Sequence, residues 1–143
     1  MHQGLSDSVL TGFAISPRNV ANTGANSNVI DMQGWMGLRA VVAAGVFGTS
    51  GTIDVNVYQS DNSAMASPTL ITDANSGANA VIQAINSNSI KILDVWPSKR
   101  YVRIVATGQT NGTLGSVTYD QYRRQGVLPP TQNAEEYVKI RAR

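Results

Sequence analysis

Thr52-Ile53-Asp54-Val55-Asn56-Val57-Tyr58-Gln59-Ser60 (52–60) is the stretch that decides the fold of this chain. Ile53, Val55 and Val57 fall on one side of an extended backbone, and Asp54, Asn56 and Tyr58 fall on the other. A period of two residues cannot keep an apolar stripe on a helix, whereas it suits a strand with one face buried. The same period returns in Tyr101–Thr107, where Val102, Ile104 and Ala106 alternate with Tyr101, Arg103 and Val105. Leu38–Val46 is apolar on both faces apart from Arg39, as a more deeply covered strand should be. Ile90–Trp96 is a further run, closed by Pro97, which a central ladder does not accept.

Turn residues stand where the alternation stops. Gly48-Thr49-Ser50-Gly51 separates 38–47 from 52–59 and predicts a hairpin between them. Gly108-Gln109-Thr110-Asn111-Gly112 separates 101–107 from 113–122, and its Asn-Gly step predicts a second hairpin. Helical spacing is absent throughout, and short strands recur every 8–12 residues or so. The expected fold is all-β, an antiparallel β-sandwich or a jelly-roll-like arrangement with extended terminal arms. Its core should hold Val55, Val57, Val102 and Ile104, with Trp96 as a filler. The expected organisation is an N-terminal arm over residues 1–30 with one strand at Val9–Ile15, a sandwich core over 31–124, and a C-terminal extension over 125–143.

Composition narrows the function. The chain has 143 residues, no cysteine, one histidine (His2), 42% apolar and 14% charged residues. That charge content is well below the ~25% of an average soluble protein, and the length suffices for one core without disulfides or metal. Nothing assembles into a Ser-His-Asp triad: the only histidine is His2, and 48–51 lacks the Gly-x-Ser-x-Gly spacing. Asp73-Ala74-Asn75-Ser76-Gly77 begins like a calcium loop, but the closing bidentate glutamate is missing. Asp54 and Asp94 are strand carboxylates that would have to share one sheet face to form a glycosidase pair. The reading is of a protein that is not an enzyme and uses no cofactor and no metal.

Charge is polarised along the chain. Residues 1–98 carry a net −3 and residues 99–143 a net +5, so one end can steer toward an acidic partner. The basic residues Lys99, Arg100, Arg123 and Arg124 are candidate protein contacts, because nucleic acid would call for more charge interleaved with aromatics. Past Pro129-Pro130, the segment Tyr137-Val138-Lys139-Ile140-Arg141 alternates again, with Val138 and Ile140 facing one way. A strand beyond such a spacer suits addition to a neighbour's open sheet edge; folding back on its own domain is the alternative. The longest uninterrupted apolar run is Ala40–Ala44, far short of the roughly 18 residues of a membrane span. Met1–Asp7 has neither a basic nor an apolar signal region, so no secretory signal is expected.

Taken in order, Asp31–Val42, the Gly-rich turn, Thr52–Asp61 and Lys99–Gly108 resemble small β-sandwich structural proteins of tailed bacteriophages. The resemblance spans about residues 30–122 and rests on a succession of strands, so it carries no residue-level site. It implies a capsid decoration (cement) protein on the outer surface of the virion head. The partner would be the major capsid protein, homo-oligomers would form, and neither membrane nor nucleic acid would be contacted. A head-tail connector or tail-tube component is one alternative. A carbohydrate-binding module is another, with Trp35, Trp96, Tyr58, Tyr101, Tyr119 and Tyr122 as a stacking platform.

Overall fold

The computed structural model describes residues 9–20, 23–46, 51–109, 113–123 and 136–142. Its strands are β1 (Val9–Ile15), β2 (Arg18–Asn19), β3 (Gly24–Asn26), β4 (Ile30–Asp31), β5 (Gly37–Ala44), β6 (Thr52–Ser60), β7 (Thr69–Leu70), β8 (Val81–Ile85), β9 (Ile90–Trp96), β10 (Tyr101–Gln109), β11 (Thr113–Tyr122) and β12 (Glu136–Arg141). They form two six-stranded sheets. One runs β1-β11-β5-β9-β12, with β2 also on β11. The other runs β3-β10-β6-β7, with β4 on β10 and β8 on β6. The described residues are therefore an all-β sandwich, and no helix among them is long and apolar enough to cross a membrane.

The alternation read at 52–60 holds residue by residue. Ile53, Val55 and Val57 are fully buried, and so are Val102, Ile104 and Ala106 on the neighbouring strand β10. Leu38, Ala40, Val42, Leu93, Val95, Leu114 and Val117 face them from the other sheet. Each valine, leucine or isoleucine among them removed from water is worth roughly 1.5–3 kcal/mol, so this double layer supplies most of the driving force.

Neither expected hairpin pairs. β5 lies in the first sheet between β11 and β9, whereas β6 lies in the second sheet on β10. β10 and β11 are split between the layers in the same way. The turn residues 47–50 and 110–112 fall outside the described residues. The physical reason lies in the apolar faces. A hairpin would set the Leu38/Ala40/Val42 and Ile53/Val55/Val57 faces side by side in one layer. Crossing between layers lets each face cover the other.

Both ends join the sandwich. β1 forms an antiparallel edge on β11, and Ile15, Val20, Ala25 and Ile30 belong to the core. β12 lies parallel to β9, with Glu136 beside Lys91 and Arg141 beside Trp96. The C-terminal strand thus folds back on its own domain, and the core extends beyond the expected boundaries at 31 and 124. Trp96 is not a core filler: it closes β9 half-buried, on the outward side shared with Asp94.

Candidate partner-binding end of the sandwich

The polypeptide crosses between the layers at the end of the sandwich where β5 and β10 begin and β6, β9, β11 and β12 finish. Gln59, buried at the end of β6, shapes one crossing. Its Oε1 accepts hydrogen bonds from the Ser98 N–H (2.9 Å), the Ser98 hydroxyl (3.3 Å) and the Lys99 N–H (3.2 Å). Those bonds hold Pro97–Arg100 in the turn that joins β9 to β10. Gln121, buried on β11, shapes the crossing from β4 to β5 by donating to the Asp31 carbonyl at 2.7 Å and the Met32 sulfur at 3.2 Å. Gly34 supplies the positive φ of 81° that this second crossing needs.

Arg100 grips Asp31 with two hydrogen bonds, Nε to Oδ1 at 2.9 Å and Nη2 to Oδ2 at 2.7 Å. The bidentate fit and the Gln33 N–H hold the Asp31 carboxyl at about 2, below its ordinary 3.8. Lys99 stands 3.5 Å from Asp61. The basic turn expected at 99–100 is thus answered by carboxylates of its own chain. Three arginines also lie over aromatic rings: Arg100 over Tyr101 (5.0 Å), Arg123 over Trp35 (5.1 Å) and Arg141 over Trp96 (4.3 Å).

On the outer face of the first sheet, one cross-strand row reads Thr11, Asp120, Arg39, Asp94 across β1, β11, β5 and β9. Asp120 accepts from the Thr11 hydroxyl at 2.6 Å and from Arg39 Nη2 at 2.7 Å. Asp94 is buried and accepts from the Tyr122 hydroxyl, which in turn accepts from the Trp96 indole N–H. In the next rows Phe13 is 59% and Ile90 52% exposed, leaving an apolar margin on this face.

The structure brings Lys99, Arg100, Arg123 and Arg141 to one end, from three separate stretches of sequence. Arg124 lies outside the described residues. Tyr137, Val138 and Lys139 are placed by backbone pairing with Ile92, Leu93 and Asp94. Ile140 was expected to meet a partner, but it is 2% exposed and packs in the chain's own core. The reason is its register: it sits beside Val95, an inward-facing position of β9. Asp54 and Asp94 do not share a sheet face. They lie on opposite sheets, and Asp54 accepts the Ala84 N–H at 2.8 Å. Asp73, the first residue of the calcium-like stretch, accepts from the Asn75 and Ser76 N–H groups, the Ser76 hydroxyl and the Arg141 N–H. These donors hold its carboxyl at about 2.

Gln59 and Gln121 were not singled out from sequence, and Asp94, Trp96 and Tyr122 were singled out for other roles, not as one hydrogen-bonded chain. The glutamines give no local signal, because their partners are 39 and 90 residues away. Asp94 and Trp96 did give one: both stand on the opposite parity from Leu93 and Val95.

No family model and no curated protein matches the chain. Among solved structures, it is similar to a chain from "Bacillus endospore appendages form a novel family of disulfide-linked pili". The two are 11% identical, with a TM-score of 0.43, over 82% of this chain and 90% of that one. A likeness of that size carries no argument about function.

Proposed function

We propose that this chain is a structural protein of a tailed-phage virion. It decorates the outside of the head and binds the major capsid lattice in many copies. The reading starts from the strand succession over residues 30–122. The observation that supports it best is the gathering of Arg100, Arg123 and Arg141 over Tyr101, Trp35 and Trp96 at one end of the sandwich. Arginine and large aromatics are the residues that dominate protein–protein contacts, and stacking fixes them before a partner arrives. Arg100 and Arg123 are the exposed basic residues described there, and Arg100 is already engaged by Asp31. Many copies on one lattice turn weak single contacts into firm attachment.

The test is co-sedimentation of the purified protein with expanded shells of the major capsid protein encoded alongside it. Saturable binding is expected, weakened about tenfold or more by Arg123→Ala. Wild-type protein that stays in the supernatant at every concentration overturns the proposal.

A further inference from the structure

We propose that β12 is an exchangeable strand: the groove beside β9 accepts Glu136–Ala142 of a second copy of this chain as well as its own. The proposal does not depend on the capsid reading. It rests on where the partners of β12 lie.

The described hydrogen bonds of this strand run to β9 and to the turn after β7. Its backbone pairs with Lys91 through Trp96. The Ala142 N–H donates to the Trp96 carbonyl at 2.9 Å, and the Arg141 carbonyl accepts from the Ala74 N–H at 2.8 Å. The Arg141 N–H donates to Asp73 at 3.0 Å, and its guanidinium lies over Trp96. Ile140 fills a place among core residues of the sandwich. Strand and groove are thus two complementary halves of one site, and residues 123–135 are the covalent link between them. Nothing in the contact set requires that link to be in cis.

The link is also longer than its task. Tyr122 stands level with Gly37, and the adjoining register sets that row beside Trp96 and Arg141. Reaching Glu136 therefore means crossing three strand spacings and descending five residues, a straight distance of about 22 Å. Residues 123–135 extend to about 45 Å. That surplus lets the strand leave its own edge and enter a neighbour's. Two copies with facing β9 edges would exchange strands reciprocally, in a twofold arrangement. The covalent link gives the chain's own strand an effective concentration of order millimolar. Exchange should therefore rise with protein concentration and prevail where copies are crowded.

The chain has no cysteine, so disulfide trapping reads exchange directly. Ile92 and Tyr137 are register partners. Single variants Ile92→Cys and Tyr137→Cys are mixed, oxidised mildly at rising concentration and resolved on non-reducing gels. A mixed disulfide dimer is expected, growing with concentration and severalfold above a control mixture of Phe13→Cys with Tyr137→Cys. The double variant Ile92→Cys/Tyr137→Cys should close within one chain when dilute. Mixed dimer no greater than the control, with the double variant closing fully, overturns the proposal. A double variant that never closes removes the register on which exchange rests and overturns it too. A second measurement removes residues 125–134, leaving a link too short for about 22 Å at ~3.5 Å per residue. Light scattering should then show the mass of a dimer or larger species, and a monomer at high concentration would refute exchange.

Discussion

The ring of Tyr122 occupies the space where a side chain on Gly37 would stand. A Cβ built on Gly37 would lie 2.2 Å from the ring carbon that bears the hydroxyl. The two residues are register partners on β11 and β5, and the missing side chain lets the ring lie across β5 toward β9. There its hydroxyl meets Asp94 and Trp96. Three neighbouring strands, β11, β5 and β9, are thereby tied by one side chain and one absent one.

Gly37→Val should expel the ring and strip Asp94 of its tyrosine donor. A buried carboxylate that loses a hydrogen bond costs about 1–3 kcal/mol, and the clash adds to that. Chemical denaturation should show the loss. Tyr122→Phe keeps the ring and removes only the hydroxyl, so it should recover part of the stability. Equal losses from both variants would mean that the hydroxyl, not the packing of the ring, holds this corner.

How far such features can be read from sequence depends on their range. Alternation at Thr52–Ser60 and Tyr101–Thr107 fixed which side chains point inward, because parity is a local property of an extended chain. It could not tell whether β5 pairs with β6 or faces it, since both arrangements bury Val42 and Val55. Gly-rich turns serve a hairpin and a crossing between layers alike. Asp31 and Arg100 are 69 residues apart, and only the pairing of β4 with β10 brings them together. The cluster of basic residues was therefore legible as composition, but its neutralisation by Asp31 and Asp61 was not.

Acid should weaken the protein through Asp31 and Asp73. Both carboxyls are held at about 2, against an ordinary 3.8. A carboxyl whose folded value is depressed binds protons more readily in the unfolded chain. Its contribution is therefore complete above roughly pH 4 and disappears as the pH falls toward 2. Urea midpoints measured from pH 5 to pH 2 should fall over that window. Asp31→Asn combined with Asp73→Asn should lower the plateau and flatten the slope. An unchanged slope in the double variant would assign the acid sensitivity to other carboxylates.

Asp73 also joins the turn after β7 to the last strand, through the Arg141 N–H. Asp73→Ala should release that bond and loosen the turn, because the Asn75 and Ser76 N–H groups lose their acceptor as well. Amide hydrogen exchange should quicken by about tenfold or more across 138–142. β10 and β6, at the centre of the other sheet, should keep their protection. Faster exchange in both sheets would show that the turn supports the whole domain.

Removing residues 136–143 tests how much of the fold rests on its final strand. Ile140 is a buried member of the core, so its loss should cost roughly 1.5–3 kcal/mol of burial together with the hydrogen bonds to β9. The remaining sheet still runs β1-β11-β5-β9 and faces an intact second layer. The truncated chain should therefore stay folded, with the same β-type circular dichroism and a Tm lowered by several degrees for a domain of this size. Ile140→Ala in the full chain separates the two contributions, since it removes the side chain and keeps the backbone ladder. If the single substitution destabilises as much as the deletion, the core contact carries the strand, and its pairing with β9 adds little.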